Sequence, residues 1–146
     1  YAAAGCSVPL VLIGDADHAD EYSERLKQQA TATPNVILTG FISGAPLHTL
    51  FSQAGLFVLP SYHEGLPIAL LEAMSWSLPV VVSDIPANLE IGLPPADYFP
   101  VGNVPGLTQK LQQWVAGEKA DYSQFMPKYR WPEIAAQTAQ VYQRLT

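Results

Sequence analysis

Short apolar runs alternate with amphipathic segments along most of the chain. Runs such as VPLVLIG and LPVVVSD end at Gly or Asp, which is typical of strands buried in a parallel sheet. The segments between them space apolar residues three or four apart, as an amphipathic helix requires. The pattern predicts strands at Val8–Gly14, Val36–Thr39, Leu56–Leu59, Leu78–Asp84 and Tyr98–Pro100, and helices at Asp20–Ala30, Pro46–Ala54 and Ile68–Ser77.

This alternation of strand and helix predicts an α/β fold with three layers, in which helices cover both faces of a mostly parallel sheet. Ligands of such sheets bind beyond the carboxyl ends of the strands. The loops that follow the predicted strands are therefore the candidate ligand-binding segments. They are GDADH (14–18), TGFIS (39–43), PSYHEGLP (60–67) and SDIPAN (83–88).

The C-terminal part adds two predicted helices, Val104–Gly117, with Asn103 as its cap, and Trp131–Leu145. The predicted apolar face of the first helix is Tyr22, Leu26 and Ala30. That of the helix from Val104 is Leu107, Leu111 and Trp114, and that of the last helix is Ile134, Thr138, Val141 and Leu145. No repeat or linker interrupts the pattern, so we expect residues 1–146 to form one domain. The chain starts without Met, and YAAAGCSVPL has no basic residue. We therefore expect an N-terminally truncated fragment and no signal peptide.

Composition and charge narrow the class of partner. The formal net charge is -6, and an acidic surface repels phosphate backbones, so we expect no nucleic-acid partner. No apolar run approaches the about 20 residues of a membrane span, so we expect no transmembrane segment. Cys6 is the one cysteine, so no internal disulfide can form, and we expect a small buried thiol in a reducing compartment.

Two acidic residues, Glu64 and Glu72, stand in the otherwise apolar stretch HEGLPIALLEAM. Pro67 suits the first turn of a helix, because its missing N–H would have no helical acceptor there. Glu64 is thus predicted on the loop before the helix and Glu72 in its second turn. In a continuous helix this separation corresponds to about 12 Å of rise and about 80° of rotation, enough to flank a ligand of disaccharide size.

An anion is expected between the two carboxylates. The free amides of Ile68 and Ala69 and the helix dipole favour negative charge, and Gly65 lets the backbone approach closely. Each carboxylate accepts hydrogen bonds from vicinal hydroxyls. A ligand with hydroxyls, phosphates and hydroxyls in that order is a nucleotide sugar. The alternative is purely structural, with Glu64 as a capping acid and Glu72 facing solvent; the apolar neighbours of Glu72 count against it, since they predict burial with a partner.

The segment PSYHEGLPIALLEAMSWSLPVVVSD resembles the signature of group 1 retaining glycosyltransferases of the GT-B fold. LVLIGD, PNVILTGFIS and AGLFVLPS are similar to further segments of the same C-terminal, donor-binding domain, in the same order, and the resemblance extends over residues 10–111. It implies a Rossmann-like lobe that lacks its first strand. The matching signature positions are Glu64, Glu72, Ala73, Met74, Pro79, Val80, Val81 and Asp84.

The resemblance also implies roles. Glu64 would hold hydroxyls of the transferred sugar and be the catalytic candidate, and Glu72 would hold the ribose hydroxyls. Backbone amides near these acids would contact sugar and phosphates, and two glycine loops would lie against base or phosphate. The implied amide-bearing residues are Gly65, Leu66, Ile68 and Ala69, and the loop residues are Gly14, Gly40, Phe41 and Ile42.

Several positions depart from the family pattern. Gly65-Leu66-Pro67 stands where many members have Gly-Phe-Gly, Ser77 where Gly is usual, and Pro86-Ala87 where Gly-Gly is common. A diphosphate site normally recruits Arg or Lys. None of the seven basic residues lies in a predicted ligand loop. We therefore expect the cationic loop and an N-terminal acceptor domain to lie upstream, and the chain alone to be inactive and to bind nucleotide sugars weakly.

The implied activity is transfer of a sugar from a nucleoside-diphosphate sugar to a hydroxyl acceptor, with retention and without a metal or other cofactor. The implied location is cytoplasmic, at the inner face of the membrane where the full-length protein makes peripheral contact. Alternatives are a hydrolase pair of carboxylates, a non-catalytic nucleotide-binding module, and another GT-B enzyme such as an epimerase or phosphorylase. Asp15-Ala16-Asp17 could hold a metal ion, although helix capping explains it better.

Overall fold

A computed structural model describes residues 1–16, 18–114, 117 and 119–144. Within these residues all five predicted strands and all five predicted helices form, together with one short additional α-helix after the fourth strand and three short 3-10 helices. The strands are β1 (Leu10–Ile13), β2 (Val36–Gly40), β3 (Phe57–Leu59), β4 (Val80–Ser83) and β5 (Tyr98–Phe99). The helices are α1 (Glu21–Ala32), α2 (Ala45–Gln53), α3 (Ile68–Ser75), α4 (Pro86–Leu89), α5 (Val104–Gln113) and α6 (Trp131–Gln143).

The chain divides into two compact units. The first contains Tyr1–Gln53 and Val104–Trp114, and the second contains Ala54–Asn103 and the described residues after 114. Each unit has its own sheet: β1 pairs with β2, and β3, β4 and β5 pair in that order. Every strand pair is parallel, as predicted, but the strands form two sheets where the pattern suggested one.

The first unit contains the two-stranded sheet and the helix between its strands. Leu10 pairs with Val36, and the register shifts by one residue near the end of β1. Helix α1 packs against β2. Asp20 caps α1 through a reciprocal pair of hydrogen bonds with Ser23, so the helix begins where the polar pattern predicted.

The predicted apolar face of α1 is only partly buried. Ala30 is buried, but Tyr22 is 63% exposed and Leu26 is 39% exposed, and Ser23 is buried instead. The prediction for Tyr22 and Leu26 is therefore wrong. Helical periodicity identifies an apolar stripe, but it does not show how much of that stripe the neighbouring sheet covers.

The second unit is built around β4. All four of its residues are buried, as expected for a strand with a neighbour on each side. Val80 pairs with Phe57 of β3, and Val82 pairs with Tyr98 of β5. Helix α3 packs against β3 and β4 and contributes Leu70, Ala73 and Met74 to the core.

The last helix, α6, presents its predicted apolar face to solvent. Val141 is 57% exposed, Thr138 is also exposed, and Ile134 is half-buried. The prediction of a buried face is therefore wrong for Thr138 and Val141, because α6 packs mainly on the short 3-10 turn that precedes it. Leu145 lies outside the described residues. No helix in the described part of the chain has the length and apolar content needed to cross a bilayer.

Candidate functional site

Three loops meet beyond the carboxyl ends of β3, β4 and β5. Ser83 Oγ donates to the carbonyl oxygen of Ser61 (2.6 Å), which joins the loop after β3 to the end of β4. The amide of Val101 donates to Asp84 Oδ1 (2.7 Å), which joins the loops after β4 and β5. Parallel strands bring their carboxyl ends to one edge, so the fold gathers these loops where ligands of α/β sheets bind.

Glu64 lies in the loop after β3, as predicted. Its side chain is half-buried, and its Oε1 accepts a hydrogen bond from Ser61 Oγ (2.7 Å). No described residue donates to its Oε2. One carboxylate oxygen is thus held by the protein while the other can accept a hydrogen bond from a ligand hydroxyl.

The N-terminus of α3 offers fewer free amides than expected. The helix begins at Ile68, so Pro67 is its N-cap residue and not its first helical residue. The amide of Ile68 donates to the carbonyl oxygen of Leu66 (2.8 Å), so the prediction of a free Ile68 amide is wrong. The amide of Ala69 has no acceptor among the described residues and lies on an exposed residue. Ala69 therefore carries the free amide of this helix tip.

Glu72 lies in the second turn of α3, as predicted, but it is exposed. Its apolar neighbours Leu70, Ala73 and Met74 turn inward to the core, which leaves Glu72 on the outer face. The expectation of a buried glutamate was wrong because an eight-residue helix packs on the sheet with one face only. No described side chain or amide binds its carboxylate, so the group is accessible to a ligand and to solvent alike.

The other predicted ligand residues belong to the first unit. The amide of Gly14 donates to the carbonyl oxygen of Gly40 (2.9 Å), so the ends of β1 and β2 bring these glycines together. Both have positive φ, 114° and 65°, which glycine adopts without strain. Phe41 is 82% exposed, and Ile42 is half-buried. An exposed aromatic ring beside two glycines offers a flat surface on which a planar group can stack.

The acidic segment after β1 forms an ion pair. Lys27 Nζ lies 2.9 Å from Asp15 Oδ1, and this hydrogen bond lowers the pKa of the Asp15 carboxyl below its usual value. Asp17 lies outside the described residues. Within the described residues no three His, Cys, Asp or Glu side chains are grouped so as to hold a metal ion.

The residues that support Glu64 were not predicted from the sequence. Ser61 follows β3 and Ser83 is the last residue of β4, and serine is common at such positions. Asn88 lies in the predicted SDIPAN loop, but the sequence pattern assigned it no role. The contact between Ser83 and Ser61 joins positions 22 residues apart, which no local pattern indicates, and the contact between Ser61 and Glu64 depends on the conformation of their loop.

Comparison with known proteins identifies the family. Residues 2–117 match the family described as "Glycosyl transferases group 1". The uncharacterized glycosyltransferase MJ1607 of Methanocaldococcus jannaschii is 33% identical over 145 residues, which cover 91% of this chain and 36% of that protein. The chain spans about a third of the length of that relative, and smaller shares of other curated relatives such as the putative glycosyltransferase EpsF of Bacillus subtilis (23%).

Two solved structures share the fold. A sucrose-phosphate synthase from Thermosynechococcus elongatus matches with a TM-score of 0.81 and 22% identity, over 99% of this chain and 40% of that one. The catalytic domain of a cholesterol-alpha-glucosyltransferase from Helicobacter pylori matches with a TM-score of 0.60 and 24% identity, over 77% of this chain and 72% of that one. The predicted α/β, Rossmann-like fold class is confirmed. The chain belongs to the group 1 glycosyl transferases.

Proposed function

We propose that the second unit binds the donor of a retaining glycosyltransferase, a nucleoside-diphosphate sugar, beyond the carboxyl ends of β3, β4 and β5. The observation that carries the proposal is the arrangement of α3. The carboxylate of Glu64 precedes the helix with one oxygen held by Ser61, the amide of Ala69 at the helix tip is free, and Glu72 is exposed one turn later. This order of acceptor, donor and acceptor suits hydroxyl, phosphate and hydroxyl.

The proposed chemistry transfers a glycosyl group to an acceptor hydroxyl with retention at the anomeric carbon. Glu64 holds hydroxyls of the transferred sugar, and Glu72 holds the ribose hydroxyls. Negative charge develops on the departing diphosphate, and the α3 tip stabilises it through the Ala69 amide and the helix dipole. The reaction in this proposal uses no metal ion or other cofactor.

The acceptor is proposed to belong to polysaccharide or glycolipid synthesis. Relatives include an O-antigen chain mannosyltransferase from Escherichia coli and an alpha-galactosylglucosyldiacylglycerol synthase from Streptococcus pneumoniae. In this proposal the acceptor binds a separate N-terminal domain, and the whole protein works in the cytoplasm at the inner face of the membrane.

Titration of the chain with nucleotide sugars tests the proposal. Isothermal titration calorimetry would compare UDP-glucose, GDP-mannose and ADP-glucose with UDP, GDP and ADP. We expect at least one nucleotide sugar to bind with a millimolar Kd, because basic residues are absent from the loops around α3, and to bind more tightly than its nucleoside diphosphate.

Matched variants locate the binding site. Glu64→Gln keeps the size of the side chain but removes its charge, so we expect the sugar-dependent part of the affinity to fall by about tenfold. Glu133→Gln on α6 changes an exposed glutamate outside the site and should leave every Kd unchanged. Equal binding by wild type and Glu64→Gln, or no binding of any of the three sugars, would overturn the proposal.

A further inference from the structure

A series of hydrogen bonds links Asn88 of α4, through Ser83 and Ser61, to the carboxylate of Glu64. Asn88 Nδ2 donates to the carbonyl oxygen of Ser83 (2.9 Å) and lies 3.3 Å from Ser83 Oγ. Ser83 Oγ donates to the carbonyl oxygen of Ser61 (2.6 Å), and Ser61 Oγ donates to Glu64 Oε1 (2.7 Å). We refer to Asn88, Ser83 and Ser61 as the support line.

The inner end of the support line is rigidly held. Ser83 and Asn88 are both 0% exposed. The carbonyl oxygen of Asn88 also accepts from the Tyr98 hydroxyl (3.0 Å), and the same hydroxyl accepts from the amide of Leu93 (3.0 Å). Buried hydrogen bonds of this kind fix their partners because no water can replace them. The backbone of Ser61 is thereby anchored to β4, the most buried strand of its sheet.

The outer end of the support line sets the orientation of Glu64. Ser61 occupies Oε1 and no described residue donates to Oε2, so the support line presents one oxygen of the pair outward. A free glutamate samples several rotamers, and ordering it on ligand binding costs affinity. A carboxylate that is already oriented avoids that cost.

Asn88 carries an energetic cost that packing does not explain. Its Oδ1 is the one buried side-chain polar atom in the described residues without a hydrogen-bond partner. A buried acceptor without a donor carries a desolvation penalty. The Nδ2 of the same side chain donates to the buried carbonyl oxygen of Ser83, so Asn88 holds the end of β4 in place at the cost of one unsatisfied acceptor.

We propose that Ser61, Ser83 and Asn88 are positioning residues that hold the Glu64 carboxylate ready for a hydroxyl of the donor sugar. The proposal rests on the proposed function, in which Glu64 contacts that sugar. The support line itself does not touch the ligand; it acts through Glu64. Its effect should therefore appear in the binding of the sugar and not in the binding of the nucleoside diphosphate.

Calorimetry on single variants tests this separation. The measured quantity is the ratio of the Kd of UDP to the Kd of UDP-glucose. If the wild type binds GDP-mannose or ADP-glucose more tightly, the same ratio is measured for GDP and GDP-mannose or for ADP and ADP-glucose. We expect Ser61→Ala and Ser83→Ala each to lower the ratio by about fivefold, and the Kd of the nucleoside diphosphate to change less than about twofold. Ser61→Thr keeps the hydroxyl and should restore the ratio.

A double-mutant cycle tests whether the effect passes through Glu64. In the Glu64→Ala background we expect Ser61→Ala and Ser83→Ala to have no further effect on the ratio, because the group they orient is gone. Asn88→Leu should lower the ratio and also lower the thermal midpoint, because it removes the donor to the buried carbonyl oxygen of Ser83. If the serine variants weaken the nucleoside diphosphate and its sugar ester equally, their role is general structure and the proposal is overturned.

A measurement without ligand separates this proposal from the proposed function. Three-bond NMR couplings report whether the Glu64 side chain occupies one χ1 rotamer. We expect one rotamer in wild type and averaged rotamers in Ser61→Ala and Ser83→Ala, with the Glu133 side chain averaged in all three. If Glu64 keeps a single rotamer in both variants, the positioning role of the support line is overturned even if nucleotide sugars bind. If the rotamers are averaged in both variants but the wild type binds no nucleotide sugar, the positioning role is supported and the proposed function is overturned.

Discussion

Among single residues, the two glutamates of the candidate site differ in their surroundings: Glu64 is half-buried and accepts a hydrogen bond from Ser61, whereas Glu72 is exposed. The positions of Glu64 before α3 and of Glu72 in its second turn followed from Pro67, a local signal. The hydrogen bond from Ile68 to Leu66 and the support of Glu64 by Ser61 depend on the conformation of the loop. Loop conformation is set by contacts with β4 and β5, which a linear pattern does not contain.

Replacing Glu72 tests the ribose assignment. Glu72→Ala should raise the Kd of the nucleoside diphosphate and of its sugar ester by the same factor, about five- to tenfold, because both ligands carry the ribose. Calorimetry with UDP and UDP-glucose, or with the pair that binds best, measures this. Circular dichroism should show an unchanged fold, since Glu72 is exposed. A variant with wild-type affinity for the free nucleotide would reject the assignment.

The buried Tyr122 predicts a loss of stability at high pH. Burial raises the pKa of the Tyr122 hydroxyl to about 12, whereas the unfolded chain has the ordinary value near 10. Below about pH 10 both states are protonated and stability is unaffected. Between the two pKa values the unfolded state releases its proton first, so the free energy of unfolding falls by on the order of 2 kcal/mol by pH 12.

Urea unfolding between pH 8 and 11.5 measures this loss. Tyr122→Phe keeps the packed ring but has no ionisable group, so its unfolding free energy should fall less steeply over the same range. Identical pH dependence in wild type and Tyr122→Phe would mean that another group controls alkaline unfolding.

At the scale of elements, strands and helices were predicted correctly wherever apolar runs alternate with amphipathic segments. Boundaries shifted by a few residues, as β1 and β4 show. Residues just outside the strands, such as Gly14 and Asp84, still donate single backbone hydrogen bonds to the neighbouring strand but do not continue the regular pairing. The buried faces of α1 and α6 were predicted less well. Periodicity reveals a stripe, but burial depends on which other element lies on it, and Tyr22 and Val141 remain exposed.

The end of α3 predicts a stabilising substitution. Ser77 has a φ of 57°, the left-handed region that costs energy for a residue with a Cβ. Its amide donates to the carbonyl oxygen of Met74, and such a residue closes a helix best as glycine. The family pattern, with Gly at this position, has the same explanation. Ser77→Gly should raise the free energy of unfolding by about 0.5–1 kcal/mol, measured by urea titration.

Ser75 provides the matched control. It is the last residue of α3, where the backbone is helical and glycine lowers stability by up to about 0.5–1 kcal/mol because the unfolded chain gains freedom. Ser75→Gly should therefore destabilise the protein. If both substitutions change stability in the same direction, the left-handed conformation of Ser77 is not the cause.

For the molecule as a whole, the fold class and the family predicted from the sequence are both confirmed. The alternation of elements indicates an α/β fold, and the segment from Glu64 to Asp84 resembles the signature of group 1 glycosyl transferases, the family that residues 2–117 match. The identities of the sugar, the base and the acceptor do not follow from these elements, because in the proposed function they depend on the side chains of loops and of a second domain.

The central claim is that the tip of α3 and the loop before it hold a nucleoside-diphosphate sugar. The most direct test is a titration of the ¹⁵N-labelled chain with UDP-glucose, GDP-mannose or ADP-glucose, followed by amide chemical shifts. We expect saturable shifts at Glu64, Gly65, Leu66 and Ala69 and unchanged shifts along α6. Saturable shifts confined to residues outside Ser61–Glu72, or no shifts with any of the three ligands at millimolar concentration, would contradict it.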